Sequence, residues 1–193
     1  MSTSSFFSLL LIAFLAVSCQ FTRSTTAPTS SGGSGSSSSS SSAAANFKIT
    51  GPSNAVAYVE QYKRIAVSES IRTGIPASIK LAQGILESGY GSSNLAKKAN
   101  NHFGIKCGSG WSGKTIQYKG SCYRIFRSGS DAYKEHSNFL MRGDRYDNLF
   151  KLKRSDYKGW ARGLRQAGYA TNPNYPSKLI ELVERYKLYN YDK

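Results

Sequence analysis

The strongest constraint on this chain is a stretch with nothing to fold around. From about residue 20 to about residue 45 it is almost all Ser, Thr, Gly and Ala, with an unbroken serine run from Ser36 to Ser42 and a single charge at Arg23. Such a segment cannot bury enough apolar surface to offset its ordering entropy, so a flexible tether is expected over residues 19–46. Its r.m.s. span is roughly 30 Å and its full reach roughly 90 Å. Folding is thereby confined to residues 47–193, one domain's worth of chain.

The segment before the tether has a different character. Phe6 to Val17 is apolar apart from Ser8. That run is too short for a membrane-spanning helix and suits the core of a signal peptide over residues 1–18. Ala16-Val17-Ser18-Cys19 resembles the lipobox of bacterial lipoproteins, in which the cysteine carries lipid. Ala16 stands where leucine is usual, and no Lys or Arg precedes the apolar run. The expectation is an exported protein of the bacterial cell envelope, anchored to the membrane through Cys19 or secreted after a cut behind Ser18.

Lys and Arg number 26 against 11 Asp and Glu, a net charge of +15. An exported basic chain suggests an anionic partner, although scattered basic residues serve solubility equally well. Nucleic-acid binding would rest on charge alone and is not expected. With Cys19 lipidated, Cys107 and Cys122 remain as a pair around an expected hairpin. A disulfide is favoured over a metal site, because CxxC spacing is absent and His102 and His136 form no recognisable ligand set with them.

Within the domain, Ala55, Val59, Tyr62 and Ala66 recur at helical spacing behind Ser53, a suitable N-cap, and Gly74 ends that helix. Pro76 suits the first turn of a second helix, running to Ser88. Its apolar residues cover most of its circumference, so it should be largely buried. One stripe differs: Lys80, Gln83, Gly84 and Glu87 fall at i, i+3, i+4 and i+7. A short helix is expected over 93–98 and a hairpin within 111–126, turning at Lys119-Gly120. Further helices are expected over 131–141 capped by Ser130, over 156–167 capped by Ser155, and from Pro176 onward with Leu179, Leu182, Val183 and Tyr186 as its stripe. The sum is an α+β domain, mostly helical with a small β-hairpin lobe.

Three segments carry a resemblance. Leu86-Glu87-Ser88-Gly89-Tyr90-Gly91, Asn101-His102-Phe103-Gly104-Ile105-Lys106 and Tyr169-Ala170-Thr171-Asn172-Pro173-Asn174-Tyr175-Pro176 occur in this order. They resemble the LESGYG, N-x-FGIK and YATDPNY blocks of the bacterial glucosaminidase family, glycoside hydrolase family 73. The resemblance implies a lysozyme-like fold and cleavage of the β-1,4 bond after N-acetylglucosamine in peptidoglycan glycan strands, with no cofactor and no metal. A monomer is expected.

Glu87 is the expected general acid. A glycosidase must protonate the leaving oxygen, and burial at the end of an apolar helix raises a carboxyl's pKa toward neutrality. The resemblance makes Tyr175 the second catalytic residue and Tyr90, Asn101, His102 and Phe103 substrate-binding. Each of these also suits a purely structural role, as do Trp111, Tyr118 and Tyr123, whose faces can stack on sugar rings. No Asp or Glu lies within 111–126, where the family often places a second acid, and Asn172 replaces the family's frequent Asp. Asp131 and Glu135 are weaker candidates. Three readings follow, in order: a hydrolase using the substrate's own 2-acetamido oxygen, a lytic transglycosylase, and a non-catalytic wall-binding module.

Overall fold

The computed structural model describes residues 53–193. The signal peptide, the lipidation of Cys19 and the tether expected above lie outside these residues. Six α-helices, two 3-10 helices and one antiparallel hairpin are arranged in the order α1 (Ser53–Thr73), α2 (Ala77–Ser88), α3 (Asn94–Ala99), β1 (Thr115–Tyr118), β2 (Ser121–Arg124), α4 (Gly129–Met141), a 3-10 helix (Asp144–Lys151), α5 (Tyr157–Gln166), α6 (Tyr175–Arg185) and a second 3-10 helix (Leu188–Asp192). The α+β expectation holds.

Helix α2 runs through the centre, against α1, α5, α6 and the second 3-10 helix. Ile79, Leu81, Ala82 and Ile85 are buried on it, and Ala55, Val59, Tyr62 and Ala66 of α1 are buried as well. The last helix buries Leu179, Leu182, Val183 and Tyr186, the expected stripe. Burial of such side chains, at about 1.5–3 kcal/mol for each large aliphatic or aromatic group, is what holds the helices together.

Three caps differ from expectation. Pro76 precedes α2 instead of sitting in its first turn, and makes no side-chain cap there. The carboxylate of Asp192 serves instead, accepting from the Ser78 amide at 2.8 Å and the Ser78 hydroxyl at 2.6 Å. Ser128, not Ser130, caps α4, because its hydroxyl reaches the Asp131 amide. Asp156, not Ser155, caps α5 through the Gly159 amide. The 3-10 helices were not anticipated; each is too short for a helical apolar repeat to declare itself.

The hairpin pairs Thr115 with Arg124 through to Tyr118 with Ser121. Lys119 and Gly120 both take positive φ, +48° and +72°, the pattern of a two-residue turn that matches the twist of the strands. Cys107 and Cys122 form a disulfide that ties the preceding loop to β2. Asn101 supports the same loop: its side chain bonds the Ile105 amide, the Ile105 carbonyl and the Arg124 carbonyl, each at 2.9 Å.

Candidate active site

The polar stripe of α2 organises the centre of the molecule, because each member meets a different neighbour. Lys80 is fully enclosed and reaches α4, donating to the Tyr133 carbonyl at 3.0 Å and the Ser137 hydroxyl at 2.6 Å. Gln83 is equally buried and donates its amide to the Tyr175 hydroxyl at 3.0 Å. Gly84 leaves room for two phenols: a Cβ there would lie 2.5 Å from the Tyr58 hydroxyl and 2.6 Å from that of Tyr133. Glu87, one turn further, ends the stripe.

Helix α2 stops just beyond Glu87. Gly89, Tyr90 and Gly91 are successively left-handed, with φ of +56°, +58° and +77°. Glycine suits such positions because it lacks a Cβ; Tyr90 is the exception and carries the strain. The turn is held by the Tyr90 amide bonding the Ile85 carbonyl and the Gly91 amide bonding the Ser88 hydroxyl.

Glu87 keeps some residue exposure, yet its carboxyl is largely withdrawn from water. Desolvation pushes its pKa up to about 7, and hydrogen bonding with the Tyr175 hydroxyl restrains the rise. Tyr175 is buried at the start of α6, and the Tyr169 ring lies 5.7 Å from it, centre to centre. Burial and the nearby Glu87 carboxylate keep both phenols firmly protonated. The structure therefore brings together Glu87 and Tyr175, from blocks nearly 90 residues apart, and adds Gln83 and Tyr169. In chemical terms the site is a carboxylic acid able to hold a proton near neutral pH, with a phenol donor ready for the carboxylate left behind.

The four expected binding residues each have partners within the protein. His102 is buried between Tyr58 and Tyr62, whose hydroxyls lie 3.3 Å and 3.0 Å from its ring nitrogens. Burial lowers its pKa to about 4, which keeps the ring neutral. Phe103 is buried and stacks on His136, ring centres 4.1 Å apart. Asn101 has its side chain committed to the backbone contacts given above. The side-chain polar atoms of Asn101 and His102 thus have partners inside the protein, and Phe103 packs on an imidazole. Tyr90 is half-buried, its hydroxyl 3.3 Å from that of Tyr186.

The weaker carboxylate candidates are both engaged in ion pairs. Asp131 lies in the first turn of α4, 3.5 Å from the Arg127 guanidinium. Glu135 is clamped by Arg124 at 2.6 Å and by Arg142. These groups, with Trp111, line a recess of about 300 Å³ beside the hairpin. A second recess, bounded by Ser155, Tyr157, Tyr189, Asp192 and Lys193, lies at the opposite end of α2, about 14 Å along the helix from Glu87. Among the described residues, no three His, Cys, Asp or Glu side chains gather as a metal-binding group.

Sequence reasoning overlooked His136, a partner of both Lys80 and Tyr169. The available signal was Lys80: a lysine in a helix apolar on most sides needs an internal partner.

Known proteins resemble this chain in sequence and in fold. Exo-glucosaminidase LytG of Bacillus subtilis is 37% identical over 134 residues, covering 60% of this chain and 46% of LytG. Peptidoglycan hydrolase FlgJ of Vibrio parahaemolyticus is 27% identical over 144 residues, covering 67% and 46%. This chain thus spans about half the length of these relatives. Among solved structures, the peptidoglycan hydrolase of Sphingomonas sp. A1 superposes with a TM-score of 0.62 at 28% identity, over 70% of this chain and 91% of that one. The catalytic domain of the Listeria monocytogenes autolysin Auto gives 0.63 at 25% identity, over 75% and 90%. The lysozyme-like expectation for the fold holds in this company. The glucosaminidase family model, described as mannosyl-glycoprotein endo-beta-N-acetylglucosaminidase, matches residues 63–188, and the chain belongs to that family.

Proposed function

We propose that this domain hydrolyses the β-1,4 bond after N-acetylglucosamine in peptidoglycan, with Glu87 as general acid. One observation carries the reading: the Glu87 carboxyl sits at the end of a buried helix, where desolvation holds its pKa near 7 beside the Tyr175 hydroxyl. An acid so tuned keeps its proton at working pH and can release it to a leaving oxygen. Membership of the family and the hydrolase names of its relatives support the same chemistry.

Because Asp131 and Glu135 are held in ion pairs, the substrate's 2-acetamido oxygen is the favoured nucleophile. In the first step Glu87 gives its proton to the glycosidic oxygen, the C1–O bond breaks, and the acetamido oxygen bonds to C1. In the second, water attacks C1, its proton passes to the Glu87 carboxylate, and the acetamido group is released. Tyr175 donates to the carboxylate between these steps. The basic surface fits an anionic wall polymer. In the cell, we place the domain in the bacterial envelope, tethered through the serine-rich segment and a lipidated Cys19, and acting as a monomer.

The test is mass spectrometry of soluble fragments from purified peptidoglycan, comparing wild type with Glu87→Gln. Reducing N-acetylglucosamine ends that disappear in the variant are the expected result. Anhydro-muramic ends would move the assignment to a lytic transglycosylase. Wall binding without fragments would leave a binding module.

A further inference from the structure

Lys80, His136 and Tyr169 form a hydrogen-bonded line that the proposed reaction has not yet used. Its direction follows from valence. The Lys80 ammonium has three protons and three neighbours: the Tyr133 carbonyl at 3.0 Å, the Ser137 hydroxyl at 2.6 Å and His136 Nδ1 at 3.4 Å. An ammonium can only donate, so Nδ1 accepts. Burial, together with the Lys80 charge, holds His136 well below its usual pKa, so the ring is neutral and has one N–H. That proton is on Nε2, which lies 3.2 Å from the Tyr169 hydroxyl. Tyr169 oxygen therefore accepts from His136, and its own proton is left for another acceptor. The carboxyl whose charge acts on Tyr169 is Glu87.

Tyr175 is arranged in the same sense. Its oxygen accepts from the Gln83 amide at 3.0 Å, which leaves its proton for Glu87. Each phenol thus receives an N–H from behind.

We propose that Lys80 and His136 are positioning residues that turn the Tyr169 hydroxyl toward Glu87 as a second donor beside Tyr175. The inference rests on the reading of Glu87 as the acid. Its consequence is that the carboxylate formed when Glu87 gives up its proton already has Tyr175 as a donor and finds a second phenol proton, that of Tyr169, free to turn to it.

The surroundings make the ammonium sustainable. From α1, the Glu69 carboxylate supplies the counter-charge through Ser137, and Arg72 also holds Glu69, at 2.6 Å. From α4 and the loop after α3, the faces of Tyr133 and Phe103 lie 5.7 Å and 5.9 Å from Lys80 Nζ. Burial still brings the Lys80 pKa down to about 7, with Glu69 opposing the fall and Arg72 assisting it. A neutral amine could accept from Nδ1–H and reverse the line. The orientation derived above is that of the ammonium form.

Two measurements on the folded protein test this. Nitrogen NMR of the His136 ring in wild type should show a neutral imidazole protonated on Nε2 at about pH 6, and Lys80→Met should lose that fixed tautomer. Tyr169→Phe keeps the ring and removes only the hydroxyl. On purified peptidoglycan it should lower kcat roughly three- to tenfold with KM little changed, the worth of one hydrogen bond. It should also move the basic limb of the pH profile upward, because a carboxylate that loses a donor has a higher pKa. A proton on Nδ1 in wild type, or a cationic ring, would overturn the proposal, as would a Tyr169→Phe enzyme with the wild-type kcat and pH profile. The expected tautomer in a wild type that releases no fragments would sink the hydrolase reading instead, and with it the purpose given to the orientation. Should Lys80→Met fail to fold, the wild-type tautomer and Tyr169→Phe still decide the matter.

Discussion

Gly84→Ala is a substitution for which local and tertiary effects have opposite signs. In an isolated helix alanine is better than glycine by about 1 kcal/mol. In this molecule the new methyl group would lie 2.5 Å from the Tyr58 hydroxyl, 2.6 Å from the Tyr133 hydroxyl and 3.3 Å from a Tyr133 ring carbon. Neither phenol can yield freely. Tyr58 and Tyr133 are buried and bonded to each other at 3.3 Å, and Tyr58 also engages His102. Overpacking of this kind costs about 1–3 kcal/mol, and displacing either hydroxyl forfeits about 1 kcal/mol more. Set against the helix gain, the net is a loss of about 2 kcal/mol, or a melting temperature roughly 4–8 °C lower. Thermal unfolding followed by circular dichroism reads this directly. The double variant Tyr58→Phe with Gly84→Ala should lose less than the sum of the two single changes, because one clashing oxygen is gone. A Gly84→Ala protein that melts at or above the wild-type temperature would refute the reasoning and show that the tyrosine cluster adapts.

Two further outcomes follow from the same interior. Asn101→Ala removes three hydrogen bonds to buried backbone and should cost about 3 kcal/mol, seen as a melting temperature roughly 6–12 °C lower; a raised KM with unchanged melting would instead return Asn101 to a sugar-binding role. Glu87→Gln should be more stable than wild type at pH 8. The folded-state pKa of Glu87, about 7, lies above its ordinary 4.5, so the folded state binds the proton more tightly, and wild-type stability falls as pH rises through that window. The difference between the two melting curves should close below about pH 4.5; a gap independent of pH would show that Glu87 does not titrate in this way.

Much of this was legible because the strongest signals are periodic or carried by blocks. The α1 and α6 stripes, the hairpin turn at Lys119-Gly120 and the buried character of α2 all follow from residue spacing. Glu87 and Tyr175 came from blocks whose order is a property of the sequence. The errors have a common physical source. Whether Ser128 or Ser130 caps α4 depends on which hydroxyl reaches an amide, and both are consistent with the local composition. Tertiary contacts are hidden for the same reason: the block that holds Asn101, His102 and Phe103 does not reveal that Tyr58 and Tyr62 lie on either side of the imidazole. The line from Lys80 to Tyr169 joins α2, α4 and the loop before α6, so no window along the chain contains it.

The cap on α2 has a consequence for biosynthesis. Its first turn is satisfied by Asp192, 114 positions downstream of Ser78. At a synthesis rate of about 5–20 residues per second, the helix that carries Glu87 waits roughly 6–23 seconds for that carboxylate to be made. Until then its N-terminal amides lack their tertiary acceptor, and α6, which supplies Tyr175, is still incomplete for most of the same interval. Glu87 and the phenol beside it are therefore brought together late, once Asp192 and α6 have both been made.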